Sequence, residues 1–341
     1  FPVELKNGKI NYSMLFIENG IDLLNNKGKL VYILDNTFFE NSFIHTRKYL
    51  LENIFINRIN LGLSSFSNVY SSQLILNLDK YKNNKLTTIK NFESGKSTSL
   101  KQETWLNSEN NFKFNYFENP EDEEIVNKVL SKKLKSISEI YPNKFIRTSS
   151  MLLTYEDKFT KPINSDFDDN YYPYYEGSKS LKDKFGDLHY SKVFNYDKKL
   201  QNNINDELKK ELTKKGIKNK KRIGLGEKLV HQNPKIYLRQ SSSELIATYT
   251  KQVSTANNSL YSISFRDNNS KNNKELLFIC GYLNSDLISF YALTKNIIRT
   301  AKTKQPQMNI SDLIKIPIIE DSRIKNELAL VVAELYKNKT N

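Results

Sequence analysis

Several groups of side chains in this sequence are of types that hold or act on another molecule. The stretch Leu61 to Tyr70, LGLSSFSNVY, sets the ring of Phe66 among small polar residues between two strand-like runs. Such a ring either folds over the nearest core or stays out to stack on a flat partner. The segment DDNYYPYYEGSKSLKDKF, 168–185, packs tyrosines, Tyr175 among them, against a Gly-Ser turn, with Lys179 and Lys182 close behind. It reads as a packed strand and loop, or as a loop whose hydroxyls and ammonium groups meet phosphates or base edges. Residues 198–222 carry ten Lys or Arg against three acids, with Lys214, Lys215, Lys218, Lys220, Lys221 and Arg222 crowding the end. A solvated helix and loop would have this composition, and so would an insertion that lies along a row of phosphates. Arg239 and Gln240 stand next to SSSE at the end of a strand-like run. These two side chains are able to bond guanine and adenine edges bidentately.

Other chemistry lacks its residues. His45, His189 and His231 are isolated, with no second His or Cys at ligand spacing, so the spacing offers no zinc site. The single cysteine, Cys280, lies in the apolar run LLFICGYL and reads as a small buried residue. Glu4-x-Lys6 and Glu207-x-Lys209 match the end of a nuclease site only in Lys-rich contexts where such triplets arise by chance. The net charge of +14 favours a polyanionic partner through counterion release, with nucleic acid ahead of an acidic membrane surface. No apolar run reaches the roughly 20 residues that span a bilayer, and FPVELKNGKI is not a secretory signal. A cytoplasmic protein without membrane attachment is expected.

The elements that must position these residues follow from periodicity. Met14, Leu15, Ile17, Ile21, Leu23 and Leu24 fall at helical spacing, and a buried strand follows from Leu30 to Leu34. A second helix from about Ser42 to Glu52 leads into FINRINLGL, and the β-rich SQLILNLDK comes after the Phe66 loop. The two strands are expected to form a hairpin at the end of an otherwise alternating α/β sheet. Phe66 then sits at a strand end, where open α/β folds bind ligands. From Lys80 to Pro120 the sequence is polar and irregular, with Trp105 as its anchor and a domain boundary near it. PEDEEIVNKVLSKKL predicts a helix with Ile125, Val126, Val129 and Leu130 on one face, starting a second domain. PKIYLRQSSSELIATY and NSLYSISF read as consecutive strands, and LLFICGYLNSDLISFYAL as helix, break and helix, with Ser285 capping the second.

The series Tyr12-x-x-x-Phe16-Ile17-Glu18, LLNNKGKLVYIL, Arg47-x-Tyr49-Leu50-Leu51-x-Asn53 and Phe66-x-x-Val69 before LILNL resembles the second half of the catalytic domain of gamma-class N6-adenine DNA methyltransferases, which include the fused type IIG restriction-modification enzymes. Leu283-Asn284-Ser285 followed by QPQMNISDLIKIPI, and the tyrosine strand with its Gly turn, resemble the target-recognition domain of the same enzymes. The resemblance implies an α/β fold: the C-terminal portion of a Rossmann-like methyltransferase sheet over 1–115, then a mixed α+β recognition domain over 116–341. It implies that Phe66 stacks on an adenine flipped out of duplex DNA, and that S-adenosylmethionine serves the intact enzyme.

The departures are as informative. The Pro-Pro-aromatic catalytic tetrapeptide cannot occur, because none of the eight prolines has a proline neighbour. RIGLGEKL, 222–229, lacks the preceding buried strand of a cofactor-binding glycine turn. The expectation is a downstream part of such an enzyme that itself binds no cofactor. Its partners would be double-stranded DNA and the missing N-terminal methyltransferase half or a nuclease domain. A non-catalytic DNA-specificity subunit acting with a separate methyltransferase chain is the alternative. A generic RNA-binding protein would show no sequence preference on duplex DNA.

Overall fold

The computed structural model describes residues 11–39, 41–63, 73–81, 86–107, 111–141, 146–148, 153–216, 223–301 and 304–340. The chain forms two compact units, residues 1–128 with 300–305, and residues 129–299 with 306–341.

In the first unit, helix α1 (Tyr12–Asp22) begins at Asn11, whose side chain accepts from the Ser13 amide at 3.0 Å. It buries Met14, Ile17 and Ile21, which recur at three- and four-residue spacing. Leu23 lies beyond the helix end and is exposed, contrary to the expected face. Strand β1 (Lys29–Asp35) follows, then α2 (Ile44–Asn53), β2 (Phe55–Leu63), β3 (Gln73–Asp79), β4 (Thr87–Asn91) and β5 (Ser97–Leu100). Among the described residues the sheet order is β1-β3-β2-β4-β5. Strand β3 runs antiparallel to both β1 and β2, which are therefore parallel to each other. The β2–β3 hairpin thus forms, with its return strand inserted between two parallel ones. It is not the end of the sheet, since β4 pairs parallel to β2 and β5 continues beyond it.

The segment expected to be irregular therefore supplies two strands and part of the core. Trp105 stacks on Phe114 with ring centroids 4.5 Å apart and donates to the Asn115 carbonyl. The Gln102 amide donates to the carbonyls of Leu51 and Ile54 and accepts from the Ile56 amide, tying the end of α2 to the start of β2. Arg47, fully buried, donates to the carbonyls of Phe38, Asn111 and Phe112. Strand β1 is less buried than its sequence predicts: Val31 and Ile33 are exposed, because alternate side chains along it fall on a face that the described residues leave uncovered. Helix α3 (Pro120–Ser131) has acids in its first turn, and of its expected apolar face only Val126 is buried.

The second unit contains α4 (Ile137–Ile140), β6 (Ile146–Thr148), β7 (Thr160–Pro162), β8 (Tyr171–Tyr175), α5 (Gly177–Ser180), β9 (Lys192–Asn195), α6 (Lys198–Lys214), α7 (Lys228–Gln232), β10 (Lys235–Arg239), β11 (Ala247–Thr250), β12 (Thr255–Ala256) and β13 (Leu260–Ser264). The chain continues through helices α8 (Ser270–Asn284) and α9 (Asp286–Thr294), strands β14 (Ile298–Ala301) and β15 (Lys304–Met308), and helices α10 (Ile310–Leu313) and α11 (Ser322–Thr340). One sheet has the order β11-β10-β13-β6, all antiparallel, and another the order β12-β8-β9-β7. The expected helix, break and helix is present: α8 and α9 meet at 61°, and the Ser285 hydroxyl accepts from the Ile288 amide as N-cap. Among the described residues no single helix is long and apolar enough to cross a membrane.

The break docks on the sheet. Asn284, buried, accepts from the Ala247 amide and donates to the Ala247 carbonyl, both at 2.9 Å, so its amide closes the outer edge of β11. Helix α11 lies close enough to α8 that a Cβ at Gly281 would meet Val332 at 2.8 Å. Its Tyr336 hydroxyl accepts from the Tyr249 amide at 2.8 Å. Removing the Asn284 amide orphans a buried N–H, a cost of about 1–3 kcal/mol. Asn284→Ala is accordingly expected to lower the melting temperature by several degrees, at about 2–4 °C per kcal/mol for a unit of this size. Asn284→Asp should lower it further, since it buries a charge beside the Ala247 carbonyl. Thermal unfolding followed by circular dichroism checks both.

Candidate nucleic-acid interface

Strand β10 is buried along most of its length, paired with β11 on one side and β13 on the other. Its run of Ile236, Tyr237 and Leu238 fills the interior, and the polar run Gln240-Ser241-Ser242-Ser243 ends it. At that end the Gln240 amide donates to the Ser259 carbonyl, and the Gln240 carbonyl accepts from the Met308 amide, each at 3.0 Å. The Gln240 side chain donates through Nε2 to the Tyr261 hydroxyl at 3.1 Å, and that hydroxyl donates to the Met308 carbonyl at 2.7 Å. Arg239, half-buried, donates through Nη1 to the Lys182 carbonyl and through Nη2 to the Ser241 carbonyl, at 3.3 and 3.0 Å.

These bonds bring two separate stretches of sequence to one place. Helix α5 opens at Gly177, whose φ of +51° suits glycine and whose added Cβ would lie 2.8 Å from the Ser259 Cβ. The close approach sets α5 and the loop after it beside the end of β10. Lys179 and Lys182 are exposed on this segment, and the Lys182 carbonyl accepts from Arg239. Lys184, two residues further, bridges Glu244 at 2.8 Å and Asp286 at 2.7 Å and is committed to protein partners.

The tyrosine cluster divides. Tyr175 has no exposed surface, its hydroxyl donates to Gln252 Oε1 at 3.0 Å, and its ring meets Tyr237 edge-on at 5.3 Å. The expectation that it contacts phosphates or bases is corrected: burial and an internal bond make it a core residue. Tyr174 is likewise buried, with its hydroxyl on Glu156. Alternation along YYPYY sends Tyr174 and Tyr175 to opposite faces, and both faces of β8 are covered at its end.

Helix α6 holds its buried side chains, Gln201, Ile204 and Leu208, on one face and leaves its lysines in solvent. Lys214 and Lys215 are exposed at its C-terminal end, where a positive charge complements the helix dipole, and Lys215 pairs with Glu211 at 2.5 Å. Lys218, Lys220, Lys221 and Arg222 lie outside the described residues, as does Phe66. The strands flanking Phe66 are described. Strand β2 ends at Leu63, opposite Gln73 of β3, and Gln73 also faces Asp35, the last residue of β1. The connection carrying Phe66 therefore leaves from the carboxyl end of β2, level with the carboxyl end of β1. Residues 217–222 lie outside the described residues, among which the glycine run 224–226 has no strand leading into it. Its neighbour Ile223 is bonded through its backbone to Gln201 and Asn205 of α6, and the Gly226 carbonyl to the Tyr196 hydroxyl. These bonds brace α6.

A feature the sequence did not signal lies at the other end of β10. Lys235 is fully buried and donates to the carbonyls of His231 and Gln252 at 2.9 and 3.2 Å. Burial pushes its pKa down to about 7. His231, also buried, is held down to about 4 by burial and then by the charge of Lys235. The rings of Tyr172, Phe194 and Tyr196 surround His231, and the Tyr172 hydroxyl lies 2.8 Å from Nδ1.

Residues 153–318 match the family model of the TaqI-like C-terminal specificity domain, and residues 3–65 that of the Eco57I restriction-modification methylase. Among solved structures, the chain is similar to the type IIL restriction-modification enzyme MmeI in complex with DNA, at 10% identity and a TM-score of 0.58 over 97% of this chain and 45% of that one. It is also similar to the type IIG restriction endonuclease BpuSI, at 14% identity and a TM-score of 0.39 over 98% of this chain and 45% of that one. The chain spans about 45% of the length of each of these structures. No curated protein matches it. The likeness to MmeI is one of fold. The two family matches, each over less than half of this chain, tie residues 153–318 to a specificity domain and residues 3–65 to a restriction-modification methylase. The fold is α/β and, with the likeness to MmeI, consistent with the C-terminal portion of a Rossmann-like sheet together with a mixed α+β fold.

The buried lysine yields a test of the recognition unit's electrostatics. A base whose folded pKa is depressed holds fewer protons than the unfolded chain between the two values, so stability rises with pH across that window. For Lys235 the window runs from about 7 to the unperturbed value near 10.4. Both carbonyls keep another donor without Lys235, the Ser254 amide for His231 and the Ser254 hydroxyl for Gln252. Lys235→Met is therefore expected to be more stable than the parent at pH 6.5. The advantage should shrink by on the order of 1.4 kcal/mol per pH unit above 7, as read by urea unfolding between pH 6.5 and 9.5.

Proposed function

We propose that this chain is the DNA-recognition portion of a site-specific adenine-N6 DNA methyltransferase of the restriction-modification type. The observation that carries the reading is that Arg239, bonded to the Lys182 carbonyl, and Gln240, bonded to Ser259 and Met308, stand at one end of β10 within the segment that matches a specificity domain. In this reading the exposed lysines contact phosphates and set the register on the duplex, while Arg239 and Gln240 face base edges. The lysines of 214–221 and Arg222 add sequence-independent attraction. The MmeI structure was solved with DNA, which supports duplex DNA as the partner.

Phe66 is the stacking ring for the target base. The exocyclic amine of a paired adenine is out of reach of a methyl donor, so the base must leave the stack at a cost of a few kcal/mol. Stacking on an aromatic face contributes on the order of 1–3 kcal/mol per base, enough to offset much of that cost. The carboxyl end of β2 is the edge at which open α/β sheets bind ligands. S-adenosylmethionine supplies the methyl group in the intact enzyme. The described residues of this chain do not fit that cofactor, since the glycine run at 224–226 braces α6 and no other glycine-rich turn joins a strand to a helix. No step is assigned to this chain's residues through it.

Two outcomes are expected. Duplex affinity should fall steeply with salt, and changing Lys214, Lys215, Lys218, Lys220 and Lys221 to Gln should flatten the slope of log K against log salt by about 0.9 for each phosphate that is no longer neutralised, leaving sequence preference in place. Loss of preference together with the slope would make those lysines the readers. In the intact enzyme, Phe66→Ala should lower both 2-aminopurine fluorescence at the target position and the methylation rate, while Phe66→Trp keeps both. A large drop in melting temperature with unchanged fluorescence would instead make Phe66 a packing residue.

A further inference from the structure

The bonds around Gln240 fix which atom of its amide faces outward, and that atom determines which bases it accepts. The Tyr261 hydroxyl has one proton, and its donation to the Met308 carbonyl at 2.7 Å uses it, because a carbonyl can only accept. Toward Gln240 the phenol oxygen is therefore an acceptor, so the side-chain atom 3.1 Å away must be Nε2. The amide cannot be turned over without setting two acceptors against each other. Oε1 is left on the side away from Tyr261, without a protein partner among the described residues. The backbone of Gln240 is pinned as well, donating to the Ser259 carbonyl and accepting from the Met308 amide. Tyr261 is itself buried in β13, with 2% of its surface exposed, so this arrangement is set before any ligand arrives.

We infer that Gln240 is a fixed hydrogen-bond acceptor that selects a base carrying an exocyclic amino group, and that Tyr261 is the positioning residue that fixes it. The second hydrogen of Nε2 remains for an acceptor beside that amino group. In the major groove, N6 and N7 of adenine present this donor and acceptor side by side. Cytosine would meet only the acceptor, and the keto edges of guanine and thymine would face Oε1 with an oxygen. Adenine is the expected base. The inference rests on the recognition reading of the preceding section, and the experiment separates the two.

Duplexes bound by the whole chain are selected from a random library, for the parent, Gln240→Leu and Tyr261→Phe, with melting curves and salt dependence measured for each. The parent should require adenine at one position. Gln240→Leu should lose that preference by roughly tenfold or more, the scale a bidentate contact supplies. Tyr261→Phe should relax the same position, admitting guanine or thymine, because the freed amide can turn over, while its salt slope stays that of the parent. A purely structural Tyr261 would lower the melting temperature without touching base preference, and that result overturns its positioning role. Should the position sensitive to Gln240→Leu require guanine or thymine in the parent, the assigned orientation is wrong though base reading stands. Preferences untouched by Gln240→Leu remove Gln240 from readout. The absence of any sequence preference in the parent would overturn the recognition reading itself.

Discussion

Arg239 and Gln240, the side chains assigned to base reading, depend on the rigidity of one short strand, and that rigidity comes from the hydrogen bonds that close the strands on either side of it. Strand β10 has both edges occupied, by β11 and β13. Strand β11 would be a free edge beside the α8–α9 break, and the Asn284 amide closes it by pairing both backbone groups of Ala247. An open edge would leave polar groups unsatisfied and the strand free to slip, and a slip of one residue would send Arg239 and Gln240 to the wrong faces. The break between the two helices is thus a positioning device. Ser285 ends α8 and caps α9, which leaves Asn284 at the joint, where its side chain projects onto the sheet edge.

The elements with strong periodicity were legible in the sequence. Strand β2 spans the residues its pattern predicts, and the capped break at Ser285 stands where the Asn-Ser pair marks it. What escaped notice did so for physical reasons. Strands β4 and β5 are short and mostly polar, and they form because β2 offers an unpaired edge and Gln102 and Thr87 satisfy its backbone. Tertiary pairing decides such segments, and local propensity does not. The apolar face expected on α3 and the burial expected of β1 failed in the opposite sense: apolar spacing says which residues could be buried together, not whether anything covers them.

The candidate interface was legible in part. Arg239, Gln240, Lys179 and Lys182 were marked by residue type and by their place near a strand end or a Gly turn. Their proximity could not be read, because it depends on the Gly177–Ser259 approach, across 82 positions of chain. Tyr175 was misplaced because a tyrosine-rich strand looks alike whether its hydroxyls face solvent or an internal partner such as Gln252. Lys235 was invisible for the same reason. In a basic sequence one more lysine carries no mark, and only the closed surroundings of β10 show that this one is desolvated and bonded to carbonyls.

The two kinds of polar group in the recognition unit differ in how much freedom they keep, and the difference suits their proposed tasks. Lys214 stands in solvent on the outer face of α6, where its ammonium group can follow a phosphate wherever the backbone lies. Such a contact tolerates any sequence because a flexible point charge has no preferred partner geometry. Arg239 and Gln240 are held instead, the first by two carbonyls and the second by one hydroxyl and two backbone bonds. A held group has lost its rotamer entropy before binding and cannot shift to meet a mismatched edge, so the wrong base leaves it unpaired at a cost of about 1–3 kcal/mol. Discrimination therefore requires the internal bonds that a merely attractive surface would do without, and the bonds that hold Arg239 and Gln240 at the end of β10, against the open solvent around Lys214, separate the two roles.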